Sequence, residues 1–99
     1  MFADFTYETF APRVGEAFQI QVSETEALQT SLIEVRPWVH DGDSRRQRVP
    51  FALVFQGPPG HAFPQRIYPV RNDGLGEFEI FLVPLQPNAA GTLYEAVFG

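Results

Sequence analysis

The sequence predicts an all-β domain: a small antiparallel barrel, or a barrel-like sandwich, of about six strands with a short helical turn at its start. Three observations carry that expectation. Gly76–Pro84 and Thr92–Phe98 are rich in β-branched and aromatic residues and are separated by a Pro/Asn/Gly-rich stretch, Gln86 to Gly91, which reads as an antiparallel hairpin. Further upstream, apolar residues recur with a period of two between Gly and Pro clusters at short intervals. Beyond one turn near the start, no segment has the 3.6-residue period of an amphipathic helix.

Taken in order, Thr6 to Phe10 is expected to form one helical turn, capped by Asp4 and stopped by Pro12, that covers an open end of the sheet. Phe18, Ile20 and Val22 alternate with Gln19 and Gln21, so a half-buried strand follows. Ser23 to Glu26 is the turn. Leu28 to Arg36 is the next strand, and its apolar phase slips near Ile33-Glu34-Val35, which a β-bulge would explain. Pro37 to Arg48 is a long polar loop. Phe51 to Phe55 is apolar on both faces and reads as a central strand covered from both sides, or as one in a barrel wall that meets a partner, ended by Gly57-Pro58-Pro59-Gly60. Gln65 to Arg71 forms a short strand that Pro69 assigns to an edge or a bulge, because proline cannot donate to a ladder. Asn72-Asp73-Gly74 turns it into the strand beginning at Gly76. The expected inward set is Phe18, Ile20, Leu32, Phe51, Leu53, Phe55, Phe78, Ile80, Leu82, Tyr94, Ala96 and Phe98.

Residues 1–99 fall within the size of a single domain, and a hydrophobic content of 44 % is ample for one core. A chain this small buries only about 60–65 % of the surface its unfolded form exposes, so the ten Phe residues are expected to supply much of the stabilisation. The formal charge of −5 argues against nucleic acid and against an anionic membrane surface, since both demand a basic footprint. There is no cysteine, which removes disulfides, thiolate nucleophiles and Cys-based zinc sites. The N-terminus has neither the basic nor the apolar region of a signal peptide, and no apolar run approaches the ~20 residues that span a bilayer. The default expectation is a cytoplasmic protein without membrane insertion, with carriage into an extracellular assembly left open.

Reactive constellations are weak. His40-Asp41-Gly42-Asp43 offers nitrogen and oxygen donors but matches neither a calcium-loop nor a zinc spacing, and His61 is the only other histidine. Glu77 and Glu79 share a face of one strand, with Glu95 a candidate neighbour across the hairpin, and they alternate with core residues as a solvent face does. Ser23, Ser31 and Ser44 lack a nucleophile-elbow context. No catalytic, cofactor-binding or metal residue is assigned, no cofactor is expected, and the chain is not read as an enzyme. Arg45, Arg46 and Arg48 form a compact cationic patch suited to a carboxylate or a phosphate, and with Trp38 and His40 they are the expected partner-binding residues.

Phe51 to Pro58, the stretch from Gln65 to Gly76, Glu79 to Pro84, and Tyr94 to Phe98 resemble a family of small bacterial proteins that form a domain of unknown function. The opening Tyr7 to Pro12 with Val14-Gly15 is similar to the start of that family, so the likeness covers nearly the whole chain. Members are commonly encoded beside phage-tail-collar-like proteins. The resemblance implies a structural or interaction module, an accessory component of a phage-tail-like or fibre-like assembly, whose partner is a tail-collar-like or fibre protein. It carries over no catalytic residue. A small-ligand-binding β-barrel is the alternative, and assembly as a homo-oligomer is left open.

Overall fold

A computed structural model describes residues 5–37 and 50–98. The chain folds into a closed barrel of six antiparallel strands: β1 (Ala17–Gln21), β2 (Ala27–Pro37), β3 (Phe51–Gln56), β4 (Arg66–Asn72), β5 (Gly76–Asn88) and β6 (Gly91–Phe98). Round the barrel the order is β1-β2-β3-β6-β5-β4. The three strands β4, β5 and β6 form a meander that returns to β3, so residues 57–65 cross one end of the barrel in a Greek-key connection.

The helical turn expected near the start is present as α1 (Tyr7–Phe10), followed by a 3-10 turn at Ala11–Arg13. Thr6 is its N-cap, and the Thr6 N–H donates to the Thr9 hydroxyl at 3.0 Å. Asp4, the cap expected from sequence, lies outside the described residues. Pro12 does not end the turn outright: it sits inside the 3-10 segment, near whose start a missing N–H costs nothing.

This turn closes the end of the barrel opposite the 57–65 crossover. Phe10 is fully buried among Phe18, Phe51, Phe78 and Phe98, with ring centroids 5.6 to 6.4 Å away. Phe5 packs edge-on against Phe78 at 5.0 Å, and Phe51 stacks on Phe98 at 4.8 Å. The interior is therefore an aromatic plug continuous with the strand residues Ile20, Leu32, Leu53, Phe55, Tyr68, Val70, Ile80, Leu82, Tyr94 and Ala96. The inward set read from sequence holds, with Phe98 partly buried at the rim; Tyr68 and Val70 complete it from β4.

At the crossover end the lock is polar. Gly57 N–H donates to Thr92 O at 2.8 Å, Thr92 N–H returns a bond to Pro58 O at 3.1 Å, and Phe63 N–H reaches the Tyr94 hydroxyl at 3.2 Å. Tyr68 donates its hydroxyl proton to Pro64 O. Gly91 makes this approach possible: its φ is +144°, and a Cβ there would collide with the Gly57 carbonyl.

Two strand boundaries differ from the sequence reading. The stretch from Gln86, read as a connection, continues β5 to Asn88, with a register shift between Leu85 and Asn88. Pro84 and Pro87 fit because β5 pairs with β4 only as far as Leu82, so beyond that point one edge of β5 needs no donor. The expected bulge in β2 is present, as a register shift between Leu32 and Glu34 opposite β3. Among the described residues, no helix is long and apolar enough to cross a membrane.

Candidate functional site

The five residues expected to bind a partner, Trp38, His40, Arg45, Arg46 and Arg48, lie outside the described residues, as does the His40–Asp43 donor cluster. The remaining candidates are not brought together. Glu77 and Glu79 do share the outer face, but they stand opposite Arg71 and Pro69 on β4. Glu95 is elsewhere, between Val54 and Val83 in register, and His61 is exposed on the crossover. Among the described residues no group of three His, Asp or Glu side chains could hold a metal ion.

The outer wall has one well-sealed region. Arg36 makes a bidentate pair with Glu34, both bonds 3.0 Å, and its other nitrogen approaches Glu95 at 3.9 Å. Glu34 and Glu95 flank Val54 in register, which places this outward-pointing valine beneath a charged strap and leaves it 4 % exposed. The hydrogen bonds from Arg36 hold the Glu34 carboxyl below the usual carboxylate range, against a smaller opposing effect of burial. The Arg36 guanidinium is raised in turn, chiefly by the same bonds.

The opposite side of the barrel is open. β1 and β4 meet at only two register pairs, Gln19↔Arg71 and Ile20↔Val70. The next position would set Gln21 against Pro69, and there the ladder stops, because Pro69 has no N–H to offer. β1 itself ends at Gln21, where Val22 N–H turns to Glu26 O at 3.0 Å, so Arg66 to Pro69 keep a ladder neighbour only on the β5 side. Pro69 therefore does mark an edge, as its residue type suggested, but inside a closed barrel and over half a strand.

Two surface depressions lie along this junction. One of about 270 Å³ is bounded by Val22 and Glu24 on one bank and by Arg66, Ile67 and Tyr68 on the other. A second, of about 280 Å³, lies over Gln19, Arg71 and Glu77. Gln21 and Pro69 border both depressions. On the outer face Ile67 and Phe81 stand opposite each other across β4 and β5 while 59 % and 51 % exposed. Arg66 lies over the Tyr68 ring at 5.2 Å. Arg13 and Arg36 are ion-paired, whereas Arg66 and Arg71 have no ion-pair partner among the described residues.

β1 is kept in place by its other contacts. It pairs with β2 over all five residues, and the buried Thr30 hydroxyl donates to Phe18 O at 2.7 Å. At the plug end Asn72 donates to Ala17 O and to Glu16 Oε1, each at 3.1 Å, while its own oxygen accepts from Gly74 and Leu75 N–H. Sequence reasoning took Asn72 only as a turn residue. Its inward position follows from the period of two through Tyr68 and Val70.

Fold and surface together define a small Greek-key barrel with a packed interior and an incompletely paired wall. The family model described as a domain of unknown function (DUF6916) matches residues 5–98, and the chain belongs to that family. No curated protein and no solved structure matches it.

Proposed function

We propose that this chain is a non-catalytic interaction module, acting as an accessory component of a tail-like or fibre-like bacterial assembly. The observation that carries the reading is the division of labour between interior and surface. The large side chains of the barrel are committed to one another, while the outer wall presents a half-paired strand beside exposed apolar residues. A half-paired strand is a binding feature in itself, since its unused backbone groups can be satisfied by another chain.

The assembly context rests on the family resemblance alone, which implies tail-collar-like neighbours. The test is co-purification of the full chain with a tail-collar-like protein, the partner class that the resemblance implies. Stoichiometric retention through size-exclusion chromatography supports the module. A chain that elutes as a monomer, free of that protein under all salt conditions, overturns it.

A further inference from the structure

The turn that closes the plug end is attached differently from the strands beneath it. Among the described residues, 6–13 hydrogen-bond only within the segment 6–16: Thr6 with Thr9, the Ala11 N–H to Tyr7 O, and Arg13 with Glu16. The boundary is sharp. Gly15 N–H donates to Leu32 O at 2.7 Å and Leu32 N–H to Glu16 O at 3.1 Å, so from Gly15 onwards the backbone is bonded into the wall. Gly15 itself has φ +97° with nothing within 4 Å of where a Cβ would stand, so the path of the chain demands it and packing does not.

We infer that residues 6–13 are a lid hinged at Val14–Gly15, which leaves its seat as a unit and uncovers the aromatic end of the barrel while the six strands stay paired. The inference stands apart from the interaction-module reading, which concerns the outer wall.

Three features carry it. A helix of four residues does not hold itself together in water, so undocking returns conformational freedom to the whole segment. The hold on the barrel is through side chains: the Phe10 ring among those of Phe18, Phe51, Phe78 and Phe98, Tyr7 against the same cluster, and the Arg13 guanidinium against Gly74. The backbone at Gly74 has no positive φ to demand glycine, and a Cβ there would meet the guanidinium, so the missing side chain makes room for this contact. Closure also leaves the Arg13 Nε–H buried without an acceptor, a cost that hydration removes on opening.

Nothing in the ladders depends on the lid. β1 pairs with β2 over all five of its residues, and the clamp between Leu32 and residues 15–16 lies on the barrel side of the hinge. Opening therefore gives a packed interior an apolar face at one end, without breaking a strand pair.

The test is chemical-exchange saturation transfer on the full chain, isotope-labelled at the phenylalanine ring Cζ. Phe10, Phe18, Phe78 and Phe98 should exchange with one shared minor state, while Phe63 at the crossover end should not. Low urea should hardly change the population of that state, because opening exposes little surface compared with global unfolding. Phe10→Leu shrinks the anchoring ring and should raise the open population about tenfold, read at Phe78 and Phe98. Gly74→Ala displaces the guanidinium and should raise it by up to about fivefold, the worth of a partly exposed ion pair. Gly91→Ala, at the other end of the barrel, should lower the melting temperature and leave the open population unchanged.

Absence of a minor state from the original chain and from both lid variants overturns the proposal. So does a minor state shared by Phe63, one that grows with urea as steeply as global unfolding, or one that Gly91→Ala populates as much as Phe10→Leu does.

Discussion

The wall formed by β2, β3 and β6 and the junction of β1 with β4 are both antiparallel ladders, yet they are built to different standards. β3 is paired along its whole length on both sides, is buried on its inner face by Leu53 and Phe55, and carries its outer valine beneath the Glu34–Arg36–Glu95 strap. Between β1 and β4 there are two pairs, a proline, and solvent. A closed barrel removes edges in principle. Here the closure is thinnest between β1 and β4 and thickest around β3.

The largest effect is expected on the sealed side. Phe55 is fully buried and meets Phe18 edge-on at 5.3 Å, so Phe55→Ala should cost about 3–5 kcal/mol. Against a typical total of about 5–15 kcal/mol, that is a large fall in urea midpoint. A midpoint within experimental error of the original would remove the basis for calling this wall the foundation.

Next comes the polar lock. Gly91→Ala places a Cβ on the Gly57 carbonyl at a φ that side chains rarely adopt, and a loss of about 1–3 kcal/mol is expected in thermal melting. An unchanged melting temperature would show that the crossover can shift without cost.

At the seam the expected change in stability is close to zero, which is itself informative. Pro69→Val regains a backbone donor towards Gln21, worth about 0.5–1.5 kcal/mol if the bond forms, but relaxes the unfolded chain by about 0.4–1 kcal/mol. The net effect is small. The separate readout is amide exchange, which should slow at residue 69 and its neighbours in β1 as the ladder extends.

The smallest effect concerns the strap. Glu34 has a folded value below its unfolded one, so its pair with Arg36 contributes above the ordinary carboxylate range. That contribution is lost as pH falls through the depressed folded value. In Glu34→Gln, stability near neutrality should fall slightly and the acid side of the stability–pH curve should lose slope by the same small amount, leaving no difference at low pH; the effect is small because the pair is largely exposed. An identical slope in the variant would show that the strap only covers Val54.

Much of this fold was legible from local pattern. Alternation fixed the inward faces of β1, β5 and β6, and the slipped phase at Ile33–Val35 gave away the bulge before any pairing was known. The end of β5 was misread because Pro84, Pro87 and Asn88 have the composition of a connection; what admits them is the lack of a β4 neighbour beyond Leu82, a tertiary circumstance. The seam was only half legible. Pro69 announced an unpaired position, but its neighbour across the gap is Gln21, and no local pattern reports which distant strand closes a barrel. Arg66 and Arg71 lack the density of the Arg45–Arg48 cluster in the sequence, and β4 sets them on opposite faces: Arg66 with Tyr68, over whose ring it lies, and Arg71 with Pro69 on the outer wall.

Native-state hydrogen exchange, resolved by residue, addresses the contrast most directly. Amides joining β3 to β2 and β6 should exchange only through global unfolding, while those of β1 and β4 that face one another at Gln19–Ile20 and Val70–Arg71 should exchange through a local opening of lower free energy. Equal protection on the two sides of the barrel would contradict the account.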